Sequence, residues 1–329
     1  MPRFDRQSFA ETFRRALARR EEGLTAATDA WRACDGPGDG LAGIYVDRLS
    51  TAAILSVYDD AGWSDDVVSL AADEVLHQMA GLGVEAVYVK PFARDRSRLG
   101  GQPPEETREA LPRAGTAQPD AIVVHEYDTL FEVRPYDGFS TGLFLEHREH
   151  RRMLAERGAV RVLNLFAYTC AFSVPLARMG AHVTNVDVSA RYLEWGVRNH
   201  ALNDIEPAHV RYARRDAQAY LAYAARHDHE RFDLIVIDPP TFGAAAKRRG
   251  VKAWKAEEDY PALLAAAVQV LTPDGAIFAA TNARPLAAGS TFRQLIRAAV
   301  PHARFVPLPP WPPDLREHDR VAAVLFTPR

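Results

Sequence analysis

Apolar and polar positions change rhythm partway along the chain. From about residue 138 onward, short apolar runs alternate with segments of helical period. Residues 160–166, 182–187, 210–213, 232–237, 276–280, 305–307 and 321–326 read as strands. Between them, 173–179, 190–203, 217–226, 261–271 and 292–300 carry the spacing of helices. Strand and helix in alternation predict an α/β domain, a mainly parallel seven-stranded sheet with helices on both faces. Ahead of residue 138 the pattern is mixed. Phe4, Phe9, Phe13, Ala16 and Leu17 recur at helical spacing and predict a helix over 1–22. After a glycine-rich turn at 35–40, residues 44–46 and 52–57 predict a hairpin. A helix follows over 63–81 with Ser64 as its N-cap, then a strand over 84–90. Residues 93–120 read as a long polar loop, and 121–125 and 129–134 as two more strands. Three parts result: an N-terminal helix (1–22), a small α+β domain suited to substrate recognition (23–137) and the α/β domain (138–329).

Composition narrows the class. The chain has 329 residues, 47% hydrophobic and 25% charged, as in soluble globular proteins. No stretch approaches the roughly 20 apolar residues of a membrane span, and the first residues lack the apolar core of a secretory signal. A cytoplasmic protein is expected. Two cysteines, Cys34 and Cys170, have no partner at ligand spacing, so no metal site is expected. A net charge of −3 argues against coating nucleic acid by bulk charge. Any such contact would need a local patch. The arginine-bearing helix over 1–22 is either a solvated face or an arm for such contact.

In sheets of this kind, ligands sit at the carboxyl ends of the strands. The first strand of the α/β domain runs into Asn164-Leu165-Phe166-Ala167-Tyr168-Thr169-Cys170, and the second ends in Asp187 about 20 residues on. An acid there suits a ribose diol, because one carboxylate can accept two hydrogen bonds. The third strand runs into Arg214-Arg215-Asp216 and the fourth into Asp238-Pro239-Pro240. Each acid alone also reads as a helix N-cap, but four polar ends in one half of a chain point to a site. In FDLIVIDPPTFG (232–243) the prolines end the strand and hold the backbone extended. Asp238 then faces a cleft, with Phe242 placed to stack on a flat substrate.

These stretches resemble a known family. STGLFLEHREHRRML (140–154), VLNLFAYTCAFSV (162–174), VDVSARYLEWGVRNHALN (186–203) and FDLIVIDPPTFGAAAKR (232–248) look like a class I S-adenosylmethionine-dependent methyltransferase. More closely, they resemble the bacterial 23S rRNA methyltransferases with guanine-N7 and cytosine-C5 branches, the N7 branch being nearer through YLEW, DPPTF and the trailing KR. The likeness is fainter at GIYVDRL (43–49) and VYVK (87–90). It implies S-adenosylmethionine as cofactor and rRNA as partner. By resemblance, Asn164, Phe166, Ala167, Tyr168 and Thr169 form the cofactor loop. Asp187, with Val188 and Ser189 after it, takes the ribose, and Asp216 and Ala217 face the adenine. Phe144, Glu146 and Arg148 belong to a stretch that folds over the cofactor. Asp238 and Pro239 lie by the methyl group and the base.

Two departures stand out. Cys170 occupies a position where the family usually has glycine, which implies a narrower cofactor pocket. Neither of the RNA-binding modules that often precede this core is found. The cytosine-C5 relatives also carry a cysteine after the fifth strand, because C5 attack needs covalent addition first. This chain reads FAATNAR there, with Asn282 at the matching place. Guanine N7 has its own in-plane lone pair and needs only alignment with the methyl. Asn282, Lys247 or Arg284 would meet the guanine edge, and Lys247 and Arg248 open a basic run (247–255) suited to phosphate. That run reads equally as a solvated loop. An exocyclic amine is a feasible target, with Asp238 as acceptor. Other readings are a methyltransferase of a small molecule or peptide, a cytosine-C5 enzyme, and a binding protein without turnover.

Overall fold

The computed structural model describes residues 4–24, 27–93, 105–227, 229–240, 242–243, 254–316 and 320–328. Contacts divide the chain into two compact units, 1–146 with 312–317 and 147–311 with 318–329.

The first unit carries α1 (Arg6–Leu24), β1 (Ala30–Asp35), β2 (Ile44–Leu49), β3 (Ala52–Tyr58), α2 (Asp65–Met79), β4 (Ala86–Phe92), β5 (Ala114–Gly115), β6 (Ile122–Glu126) and β7 (Thr129–Val133). Its sheet runs β1-β2-β3-β4-β5, with β3 and β4 parallel across α2 and the other neighbours antiparallel. Strands β6 and β7 pair separately. The hairpin of β2 and β3 stands where the sequence predicts it, and Ser64 Oγ accepts from the N–H of Val67 at the start of α2. Helix α1 lays Phe9, Phe13 and Leu17 against Trp31, Val46 and Val75, so one face is core and only the other is solvated. Strand β1, which the pattern leaves unassigned, holds Arg32 among apolar neighbours because Asp35 and Asp47 neutralise it at 2.9 and 2.7 Å.

The second unit contains α3 (Arg148–Glu156), β8 (Arg161–Leu165), α4 (Ser173–Arg178), β9 (His182–Asp187), α5 (Ala190–Ala201), β10 (Val210–Arg214), α6 (Ala217–Ala224), β11 (Phe232–Ile237), β12 (Phe242–Gly243), β13 (Trp254–Lys255), α7 (Ala256–Gln269), β14 (Leu271–Thr281), α8 (Arg284–Ala287), α9 (Thr291–Ala299), β15 (Arg304–Val306) and β16 (Ala322–Thr327). A seven-stranded sheet runs β10-β9-β8-β11-β14-β16-β15, with β16 antiparallel to both neighbours and the first five strands parallel. Along β11, Ile235 and Ile237 enter the core formed with α6, α7 and α9, while Leu234 and Val236 enter the core on the opposite face. Burial on both faces explains the uninterrupted apolar run of this strand. Helix α7 begins at Ala256, five residues ahead of the expected start, and carries Pro261 inside it. Chain order reverses between β8 and β11: β9 and β10 lie to one side, β14 to the other. In sheets of this kind, ligands bind at such a switch point, outside the carboxyl ends of the strands.

Candidate functional site at the carboxyl edge of the sheet

Strand register sets the site. Leu165 pairs with Val186 on one side and Ile237 on the other. Asp187 pairs with Arg214, and Ile237 with Ala279. The residues that leave the strands, Phe166, Asp187, Arg215 and Asp238, therefore emerge along one edge.

The loop after β8 is held in an unusual conformation. Phe166, Tyr168 and Cys170 have φ of +55°, +50° and +62°, a region that costs an L-residue roughly 1–2 kcal/mol each. Local bonds fix it. Ala167 N–H donates to Val186 O at 3.0 Å, and Cys170 N–H to Ala167 O at 2.7 Å. Asp187 closes the arrangement: Oδ2 accepts from Tyr168 N–H at 3.0 Å and Oδ1 from Ser189 N–H at 2.8 Å. Burial raises the pKa of Asp187, opposed by the backbone N–H groups of Ser189, Tyr168 and Val188. From below, Asn199 Nδ2 donates to Thr169 O at 2.9 Å, and Ser173 Oγ lies 2.9 Å from His200 Nε2. Asn164 is buried in the sheet, its amide donating to Asn185 Oδ1 at 3.1 Å. Among the described residues, the buried Nδ2 of Asn185 meets no hydrogen-bond partner.

Cys170 fits because of a residue that sequence reasoning passed over. A Cβ added at Gly196 in α5 would sit 2.3 Å from Cys170 Sγ and 3.0 Å from its Cβ. The missing side chain on the helix makes room for the extra one in the loop. The available signal was a glycine inside a helical pattern, YLEWGVRNH. Cys170 is fully buried, and burial pushes its thiol pKa up.

Other predicted residues occupy varied places. Ser189 caps α5 and accepts from Tyr192 N–H at 3.4 Å, while Val188 is exposed. Asp216 caps α6, accepting from Ala219 N–H at 3.0 Å, and Ala217 is buried behind it. The N-cap reading thus holds for Asp216. Asp238 is half-buried, with Pro239 buried beside it and Pro240 exposed. Its Oδ2 lies 3.7 Å from Nε2 of His147, a residue the sequence reading did not single out. Tyr260 ties the strand ends behind Asp238: its hydroxyl lies 2.7 Å from Ala280 O and 3.2 Å from Ile237 O.

Asn282 and Arg284 are exposed just past β14. Phe242 lies in β12, paired in register with Lys255. Lys247 and Arg248 fall outside the described residues. Lys255, at the end of the same basic run, pairs with Glu258 at 2.9 Å. Phe144 and Glu146 belong to the first unit, the former exposed; Arg148 opens α3 in the second and is wholly buried. In the proline-rich tail (307–320), Trp311 packs edge-on against His150 with ring centres 4.9 Å apart. Asp314, in the first unit, accepts from Arg32 N–H at 2.9 Å. Among the described residues, no cluster of three metal-ligating side chains occurs, and no helix is long and apolar enough to cross a membrane.

Comparison with known proteins identifies the family and the fold. A family model described as S-adenosylmethionine-dependent methyltransferase matches residues 124–327. Ribosomal RNA large subunit methyltransferase K of Neisseria meningitidis is 34% identical over 246 residues, covering 74% of this chain and 65% of that protein. Ribosomal RNA large subunit methyltransferase K/L of Pseudoalteromonas translucida is 38% identical over 165 residues, covering 50% of this chain and 23% of that one. The chain spans less than two thirds of the length of these relatives. A candidate SAM-dependent methyltransferase from Streptococcus mutans shares the fold with a TM-score of 0.79 at 24% identity, covering 99% of this chain and 82% of that chain.

Proposed function

The chain belongs to the S-adenosylmethionine-dependent methyltransferases, and from that premise we propose that it methylates a base of 23S rRNA, at N7 of a guanine. The observation that carries the reading is the row of groups at the switch point, where the Phe166–Cys170 loop and Asp187 stand on one side of the crevice edge and Asp238 on the other. When bound, S-adenosylmethionine supplies an electrophilic methyl group on a sulfonium. The residues fit it. Backbone of Phe166, Ala167, Tyr168 and Thr169 would hold the methionine end, and Asp187, fixed by two backbone N–H groups, would accept from the ribose. Asp216 and Ala217 would border the adenine, and Phe144 and Arg148 are assigned to the stretch that would fold over the cofactor.

Asp238 faces the acceptor base, and Pro239 keeps the turn open beside it. Attack by N7 leaves a positive charge on the guanine. A fixed carboxylate stabilises that charge as it develops, without taking a proton. Asn282, Phe242, Lys247, Arg248 and Arg284 are assigned to the RNA, and the first unit to its recognition. We assign the protein to the cytoplasm, with the rRNA it would act on. The thiols support N7 over cytosine C5. The chain has two cysteines. Burial raises both thiols, Cys34 to about 12, which disfavours the thiolate that covalent addition needs.

Transfer of labelled methyl to 23S rRNA, measured at two ionic strengths, tests the substrate. Activity on RNA should fall steeply with salt, because phosphate contacts release counterions. Transfer that ignores salt, or label that never enters RNA while cofactor still binds, would favour a small-molecule or peptide acceptor.

A further inference from the structure

We propose that His147, backed by His150, is a positioning residue for Asp238: it directs a neutral N–H at the carboxylate and so fixes its orientation toward the acceptor base. The inference rests on the reading that Asp238 faces that base. Three groups stand in line. His150 Nδ1 lies 3.1 Å from His147 Nδ1, and His147 Nε2 lies 3.7 Å from Asp238 Oδ2. The imidazole of His147 is 3% exposed, and Phe172 and Phe278 pack around it with ring centres 5.2 and 6.0 Å away. Trp311 covers His150.

The contact between the two Nδ1 atoms restricts the protons. One nitrogen must donate and the other accept. Burial keeps both rings neutral: it lowers the pKa of His147, helped by His150 and Arg151, and that of His150 to about 4, helped by Arg151. Among the charged groups at the pair are Arg151, which acts on both rings, and Asp238, 3.7 Å from His147 Nε2. If His147 donated from Nδ1, its Nε2 lone pair would face the carboxylate. The opposite arrangement puts Nδ1–H on His150 and Nε2–H on His147, aimed at Asp238. The carboxylate selects it, since an ionised carboxylate only accepts. A separation of 3.7 Å is longer than a direct hydrogen bond. Catalytic contacts are often long without substrate and tighten in the complex.

Neutrality matters to the chemistry. An imidazolium at His147 would cancel the charge of Asp238 just where methyl transfer leaves positive charge on the base. A neutral N–H orients the carboxylate and leaves that charge in place.

Long-range proton–nitrogen NMR correlation on the isotope-labelled full chain reads the tautomers without substrate. Nε2–H on His147 and Nδ1–H on His150 at neutral pH are expected. The reverse pattern, or a cationic His147, overturns the proposal. Kinetics supply the second arm. His147→Leu should lower kcat by about tenfold or more (about 1.4 kcal/mol) with the affinity for S-adenosylmethionine unchanged. His147→Gln, which keeps an N–H donor, should recover most of the loss. Equal kcat in the Leu variant and the wild type overturns the proposal. A wild type that transfers no methyl to rRNA defeats the proposed function instead, while the tautomers still decide this inference.

Discussion

Cys170 and Gly196 act as a matched pair, and exchanging their side chains tests this directly. In Gly196→Ala alone, the new methyl group meets Cys170 Sγ at 2.3 Å. Rotating the thiol away leaves Cys170 Cβ at 3.0 Å, so the loop itself must shift. Overpacking of this kind costs about 1–3 kcal/mol, against about 1 kcal/mol gained by replacing a helical glycine with alanine. The single variant should lose up to about 2 kcal/mol on those two magnitudes. Cys170→Gly loses a buried side chain, about 1–2 kcal/mol. It recovers about as much by lifting the left-handed strain at φ +62°. Its net change should be near zero. In the double variant the alanine methyl enters the space the thiol leaves, and the helix gain is realised. The double variant should therefore be at least as stable as the wild type, with a coupling of about 1–3 kcal/mol. Urea unfolding with an unchanged m value measures all four corners. Because the thiol lies against α5, Cys170→Gly should change S-adenosylmethionine affinity by no more than about twofold, ~0.4 kcal/mol. Additivity within about 0.5 kcal/mol, or a Gly196→Ala variant more stable than wild type, would refute the pairing.

Tyr260→Phe leaves the carbonyls of Ile237 and Ala280 without their shared donor, and should cost about 1–3 kcal/mol in unfolding experiments. Removing the acceptor of two backbone N–H groups, Asp187→Ala should weaken S-adenosylmethionine binding at least about tenfold in calorimetry. Unchanged affinity would remove Asp187 from the cofactor site. His147, His150 and His200 are held neutral by burial, with lowered pKa values, about 4 for the latter two. The unfolded chain binds more protons than the folded one below about pH 6.5. Their stability contribution is full above that pH and is lost as pH falls through the folded values. The slope is at most about 1.4 kcal/mol per pH unit for each histidine. Urea midpoints at pH 7 and 5 check the sign; equal midpoints would contradict it.

The sheet of the second unit was legible because its strands are apolar on both faces, as the alternating destinations of Leu234, Ile235, Val236 and Ile237 show. Asp187 and Asp238 were legible as acids that end such runs. Helix α3 was not. Its core-facing residues include Arg148, His150 and Arg151, all buried, so hydrophobic periodicity finds no apolar stripe. The start of α7 was displaced because Pro261 resembles a first-turn proline, whereas the acidic run Glu257–Asp259 forms the first turn. Lys255 N–H donating to Asp259 Oδ2 at 2.8 Å closes that turn. His147 beside Asp238 could not be read from the chain, since 91 positions separate residues whose contact depends on how α3 packs at the end of β11.

The most direct measurement is the identity of the methylated nucleoside. Purified protein, labelled S-adenosylmethionine and 23S rRNA lacking its native methyl groups are combined, and the RNA is digested for mass spectrometry. The account requires labelled N7-methylguanosine, abolished by Asp238→Ala with cofactor binding retained. Labelled 5-methylcytidine would contradict it, as would full activity in the Asp238→Ala protein.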